Sequence, residues 1–246
     1  MRESAEPSGP CRRPFGIASL DAALGGGLAR GRIHEIYGAE DDDFASAAGF
    51  ALGMATGLND PGRTVLWLRV QRAARLGGVL QANGWAELGG APWSGLVGVV
   101  PDTMALLRAG VDALRCAALG AVIVEGWGAM RELDLTASRR LSLAAEKSGV
   151  PLLLLRHDAA PVPSAAQTRW QVAAAPSHTL PGNAPGRPSF DVTLLRQRSG
   201  PCGLGWRLEW DRDRRMFLEA ALSGAVVSPP AHRPAATGGG DKRQAA

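Results

Sequence analysis

Short apolar runs separated by helical stretches fill residues 31 to 157, and that alternation constrains the fold more than any single motif. The runs are GRIHEIYG (31 to 38), TVLWLRV (64 to 70), GLVGVV (95 to 100), AVIVE (121 to 125) and PLLLLRH (151 to 157). Between them, residues 43 to 58, 71 to 84, 104 to 119 and 132 to 148 have the pattern of helices. Continuous apolar strands are buried on both faces, so the spacing predicts βαβ units and a parallel sheet covered by helices on either side. Beyond residue 165 the rhythm changes. TRWQVAAA (168 to 175), FDVTLLRQR (190 to 198), GWRLEWD (205 to 211) and MFLEA (216 to 220) read as strands joined by turn-rich links, an antiparallel extension on the sheet edge. In FDVTLLRQR, period two sets Phe190, Val192 and Leu194 on one face and Asp191, Thr193 and Leu195 on the other. That predicts an amphipathic edge strand suited to a protein partner.

A chain of 246 residues holds one sizeable α/β domain with small appendages, not two catalytic domains. Residues 1 to 14, polar and punctuated by Pro7, Pro10 and Pro14, are expected to form a flexible arm, and residues 15 to 222 the domain. Residues 223 to 246, rich in Pro, Gly and Ala, are expected to be a disordered tail; with Arg233, Lys242 and Arg243 it could dock a partner. Cys11, Cys116 and Cys202 share no close spacing, which fits a reducing compartment, and no apolar run reaches the length of a membrane span. A soluble cytoplasmic protein without membrane contact is expected. The net charge of +4 permits contact with nucleic acid or an acidic partner.

The strand GRIHEIYG ends in Gly38 and leads into a helix, as phosphate-binding loops begin. Such a loop needs glycines to wrap the phosphate in backbone N–H groups, a lysine for the β and γ oxygens, and a hydroxyl for magnesium. Counted from Gly38, those places hold Asp43, Phe44 and Ala45, and a slip of one residue brings Ser46 to the hydroxyl place but Ala45 to the lysine place. The only lysines are Lys147 and Lys242. Asp41, Asp42 and Asp43 would also repel an anion: two like charges about 4 Å apart oppose each other by roughly 4 kcal/mol at an effective dielectric of 20. Aspartates in a first helical turn are instead favoured by the helix dipole. They are expected to do for this helix what a phosphate would otherwise do. His34, His157, His178 and His232 show no metal-ligand spacing.

FGIASLDAALGGGLARGRIHEIYG (15 to 38) resembles the entry to the ATPase core of the RecA recombinase family. TVLWLRVQRA resembles the family strand that carries the catalytic glutamate, with Gln71 at that place; AVIVEGWGAM resembles the Walker B strand, with Glu125 at the place of the magnesium-linked aspartate. The resemblance covers most of residues 15 to 220. It implies a RecA-like α/β core, a mostly parallel sheet flanked by helices with an antiparallel C-terminal extension. The catalytic places are altered. Gln71 cannot act as a general base, and Glu125 without a phosphate-bound magnesium reads as a structural hydrogen-bonding group. His157, at the place of a γ-phosphate sensor, is expected at the solvent edge. No catalytic residue, cofactor or metal is assigned, and the chain is expected not to be an enzyme.

The two loops that carry DNA in the family are short here, at 126 to 131 and 158 to 167. Arg169, Arg196, Arg198 and Arg207 with Trp170, Trp206 and Trp210 make the later region basic and aromatic. That composition suits weak contact with single-stranded DNA or a protein interface. Among relatives without a phosphate loop, the chain most resembles the ImuA family, on the altered loop after GRIHEIYG, the segment PSAAQTRWQVAAAPS (163 to 177) and FDVTLLRQRSGPCGLGWRLEWD (190 to 211). The resemblance implies a non-catalytic accessory of SOS-induced translesion DNA synthesis. Its implied partners are ImuB, a Y-family polymerase-like protein, an error-prone polymerase α subunit, and RecA. A cell-division inhibitor of the SulA type and an atypical RecA-like ATPase are the alternatives, in that order.

Overall fold

The computed structural model describes residues 11 to 88, 95 to 177, 179, 182 and 184 to 220. The expected tail and the first ten residues of the expected arm lie outside these. Residues 11 to 14 are already tied to the domain. Strand β1 (Arg12–Arg13) pairs with β2 (Leu28–Ala29), and the Arg12 guanidinium donates to the carbonyls of Leu24 (2.6 Å) and Gly27 (3.0 Å). Between these strands lies α1 (Ala18–Ala23), whose Asp21 carboxylate accepts the backbone N–H groups of Phe15 and Gly16 at 2.7 and 2.9 Å.

The remaining strands form one sheet. They are β3 (Ile33–Gly38), β4 (Thr64–Val70), β5 (Gly95–Val100), β6 (Leu119–Trp127), β7 (Leu152–His157), β8 (Thr168–Ala174), β9 (Ser189–Gln197), β10 (Leu204–Asp211) and β11 (Met216–Glu219). Their order is β11-β10-β9-β8-β3-β7-β6-β4-β5. From β5 to β8 neighbours run parallel, and from β8 to β11 antiparallel. Thus β8 belongs to both halves: it closes the parallel sheet beside β3 and opens the extension. The strand at 190 to 198, expected at the edge, is interior, flanked by β8 and β10; its alternation holds, with Phe190, Val192 and Leu194 buried.

Helix α2 (Phe44–Leu58) is apolar almost all round because it lies on the centre of one sheet face, over Ile36, Ile123, Leu155, Trp170 and Val172. It crosses the seam between parallel and antiparallel halves. A Cβ at Gly53 would come within 2.5 Å of the Phe217 ring, so glycine is what lets α2 sit close to the extension. The other face of the parallel half is covered by α5 (Thr103–Leu114) and α6 (Leu135–Ser148), through Leu106, Leu107, Leu114, Leu141 and Ala145. Asp102 and Asp134 cap these helices, each accepting a backbone N–H at 2.7 Å. The helix expected over 71 to 84 is broken into α3 (Gln71–Leu76) and α4 (Ala82–Glu87) by Gly77 and Gly78. No helix among the described residues is long and apolar enough to cross a membrane.

Candidate functional site

The carboxyl ends of β3, β4, β6 and β7 meet beside the start of α2, where open α/β sheets place their ligands. The loop after Gly38 passes through a short 3-10 turn, Asp41–Asp43, before α2. Asp43 closes it. One carboxylate oxygen accepts the backbone N–H of Glu40 at 3.1 Å and the other that of Ala174, on β8, at 2.7 Å. Asp41 and Asp42 are exposed in the same turn. Asp43 ties the loop back onto the sheet and makes no side-chain cap to α2, while Asp41 and Asp42 stand with it in the acidic turn that leads into the helix. Phe44, at the lysine place, turns its ring onto Trp127 (centroids 5.6 Å apart) and His157 (6.1 Å). Ala45 is exposed.

Glu125 is buried, and both its oxygens are taken. Oε2 accepts from Trp67 Nε1 at 2.7 Å and Arg69 Nε at 2.6 Å; Oε1 accepts from Arg69 Nη2 at 2.9 Å and faces His157 Nε2 at 3.4 Å. Parallel pairing sets Arg69 directly beside Glu125 on β4 and β6, so the guanidinium reaches the carboxylate as a two-pronged fork. Two further N–H groups of Arg69 donate to the carbonyls of Gly78 and Ala73. Burial pushes the Glu125 carboxyl up, but the hydrogen bonds from His157 and Arg69 outweigh it and hold the pKa below the ordinary carboxylate range. His157 is therefore a buried member of this cluster, not the solvent-edge histidine expected: Phe44 and Trp127 enclose its ring. Gln71 lies outside the cluster, exposed as the first residue of α3. Next to the fork is a cavity of about 200 Å³ lined by Ala48, Trp67, Val79 and Trp85.

Beneath the loop a second charged group is buried. Glu35 on β3 accepts from Arg169 Nε on β8 at 2.7 Å, and the Arg169 guanidinium lies 5.9 Å over the Tyr37 ring. Burial, with the Glu35 charge close by, pushes the Tyr37 hydroxyl up to about 12. Arg156 on β7 is buried beside them; desolvation lowers its pKa, and its Nε and Nη1 find no hydrogen-bond partner among the described residues. A cleft of about 140 Å³ between Gly38, Asp41, Phe44, Arg156 and Asp158 opens above it.

The basic and aromatic region divides. Period two puts Trp170, Trp206, Leu208 and Trp210 on the α2 side of the sheet, and Arg169, Arg207 and Glu209 on the opposite side. Trp170 and Trp210 are fully buried, so their rings cannot stack on a base or a partner; these two residues of the expected contact surface are corrected to core. Trp206 is half-buried and donates to Ser19 Oγ at 3.1 Å. Of the arginines, Arg169 pairs with Glu35, Arg207 forms a fork with Asp191 (both 2.7 Å), and Arg198 donates to the Ala165 carbonyl at 3.1 Å. Arg196 is exposed without an ion pair among the described residues. Sequence reasoning missed Arg69, Trp67 and Arg156. The signal for the first two was partly present: TVLWLRV puts Trp67 and Arg69 on one face of the strand, which the structure sets beside Glu125 of β6.

These features define a RecA-like core with a buried Arg69–Glu125 pair at the carboxyl ends of its strands. The fold is that of the crystal structure of the RadB recombinase, with a TM-score of 0.54 at 14% identity over 84% of this chain and 99% of that one. No family model matches the chain. It is 37% identical over 214 residues to Protein ImuA of Caulobacter vibrioides strain NA1000 / CB15N, covering 79% of this chain and 82% of that protein. The same protein of strain ATCC 19089 matches equally. The chain belongs to the ImuA family.

Proposed function

We propose that the chain is a non-catalytic accessory of damage-induced, error-prone translesion DNA synthesis, acting in the cytoplasm with ImuB, an error-prone polymerase α subunit and RecA. Family membership supports the mutagenesis role. The observation that carries the non-catalytic part is the fork of Arg69 on Glu125: the carboxylate that would hold magnesium has its lone pairs directed at protein donors. Freeing it would leave a buried guanidinium unpaired, a loss of several kcal/mol. The loop supplies neither lysine nor hydroxyl in compensation, and Asp43 is spent on backbone N–H groups.

The test is affinity capture of the tagged protein from cells treated with a DNA-damaging agent, compared with untreated cells. Recovery of the Y-family polymerase-like protein, the error-prone polymerase subunit or RecA is the expected result. Recovery of division proteins alone would replace this reading with the SulA-type one. Heat on titration with Mg-ATP, at millimolar affinity or better, would overturn the non-catalytic part.

A further inference from the structure

We propose that β5 is the seam of a homodimer, in which the free edges of two copies pair antiparallel about Gly98. The two outer strands of the sheet are built differently. On the β11 side the strand is only Met216–Glu219, ends in a carboxylate and follows the charged turn Arg212, Asp213, Arg214 and Arg215. Short, charged strands are how proteins blunt an edge. On the other side β5 reads GLVGVV, with no charge and no proline, and beyond it no strand pairs among the described residues. Leu96, Val97 and Val99 are 58, 51 and 55% exposed, on both faces of the strand. Among the described residues nothing pairs with the outer N–H and C=O groups of β5, and with its exposed apolar side chains they form a template for another strand.

The occupant follows from self-complementarity. A strand whose like charges met across the axis would repel its own copy, whereas GLVGVV carries no charge. Gly95, Val97 and Val99 face the α2 side, where Gly95 receives the Trp85 ring; Leu96, Gly98 and Val100 face the α5 side, where Leu68 lies 2.9 Å from a Cβ built on Gly98. A two-fold axis normal to the sheet keeps each face on its own side, so only registers centred on a residue are allowed. Centred on Val97, the pairing would set Leu96 and Val99 opposite glycines and leave gaps. Centred on Gly98, it sets Val97 against Val99 and Leu96 against Val100 on both sides of the axis, with glycine meeting glycine. One continuous sheet results, with a four-valine cluster on the α2 face. The pairing is closed, as most homo-oligomers are.

Sedimentation velocity on the full-length protein over a range of concentrations tests this. A shift from one chain's mass to twice that mass is expected, with no larger species. Val99→Lys should weaken the dimer by about tenfold or more, because it presses a charge against an apolar strand. The double variant V97E/V99K should restore it, since in the Gly98-centred register each new charge faces its opposite on the other copy. Both sites are half exposed, so thermal unfolding should confirm an intact fold in each variant. A wild-type protein monomeric at hundreds of micromolar would overturn the proposal and leave the edge to a different partner. A dimer indifferent to V99K would place the seam elsewhere, and failure of V97E/V99K to restore it would refute the register.

Discussion

The parallel half of the sheet and its antiparallel extension treat most of their charge differently, with Asp211 at the end of β10, paired with Arg187, the buried carboxylate of the extension. In the parallel half Glu125, Arg69, His157, Glu35 and Arg156 are all buried, and the carboxylates are held by arginines from neighbouring strands. In the extension the Arg207–Asp191 fork is as well formed but 42% exposed at each side chain. Geometry of equal quality therefore carries different energetic weight. The buried pairs fix the carboxyl ends of β4, β6 and β7 in one arrangement, because losing a partner strands a charge in the interior; the exposed pair exchanges readily with water.

The largest effect should come from breaking the buried fork. Arg69→Met leaves Glu125 without its guanidinium, held only by Trp67 and His157, and should cost about 3–5 kcal/mol of stability, read from denaturant midpoints. R69M/E125L should recover most of that loss, since replacing a whole buried pair by apolar residues is often neutral. A loss below about 1 kcal/mol in R69M would mean that the cluster admits water and is as open as the extension.

The seam between the halves supplies the next test. His34 on β3 bridges Thr168 Oγ1 of β8 (2.7 Å) and the Ala29 carbonyl (2.9 Å), and burial lowers its pKa to about 4 from 6.5. The unfolded chain therefore binds the proton first. The stabilisation is complete above pH 6.5 and is lost as pH falls toward 4, by about 3 kcal/mol. Glu125, with its pKa lowered, contributes in the same direction but below the ordinary carboxylate range. His34→Gln should flatten the dependence between pH 6.5 and 4 while leaving the more acidic limb. An unchanged slope would locate the acid sensitivity elsewhere.

A smaller effect is expected at the loop. Asp43→Ala removes two charge-assisted contacts to backbone at a partly open site and should cost about 1–2 kcal/mol. It should bring no affinity for Mg-ATP. If affinity appeared, Asp43 alone would be what keeps nucleotide out.

The layers of this fold were legible because helical and strand periods leave separate marks, and the parallel order follows from buried apolar runs such as AVIVE. The altered loop was legible residue by residue. What the sequence hid were relations between strands. That Arg69 stands opposite Glu125 depends on β4 and β6 being neighbours, which adjacency in sequence does not give, since β5 and α5 intervene. The burial of His157 depends on Phe44 and Trp127, brought from two other elements. The division of arginines from tryptophans was different: period two in TRWQV and GWRLEW already separates Arg169 from Trp170 and Arg207 from Trp206. Composition concealed a pattern that alternation displays.

That division yields the smallest expected effect. Arg207→Ala and Arg196→Ala should leave the thermal midpoint within error of the wild type, because neither side chain orders anything buried. Nucleic-acid binding is the readout that would register them. With Trp170 and Trp210 in the core, retention of single-stranded DNA can draw on phosphate charge but not on their stacking, which elsewhere is worth about 1–3 kcal/mol per base. An oligothymidine and an abasic strand of equal length should therefore bind alike at low salt. Both should weaken together as salt rises and both should weaken further in R196A. A base-bearing strand held about tenfold more tightly than the abasic one would require an aromatic surface outside the buried tryptophans. The extension would then be a reader of bases and not only an open, charge-paired face.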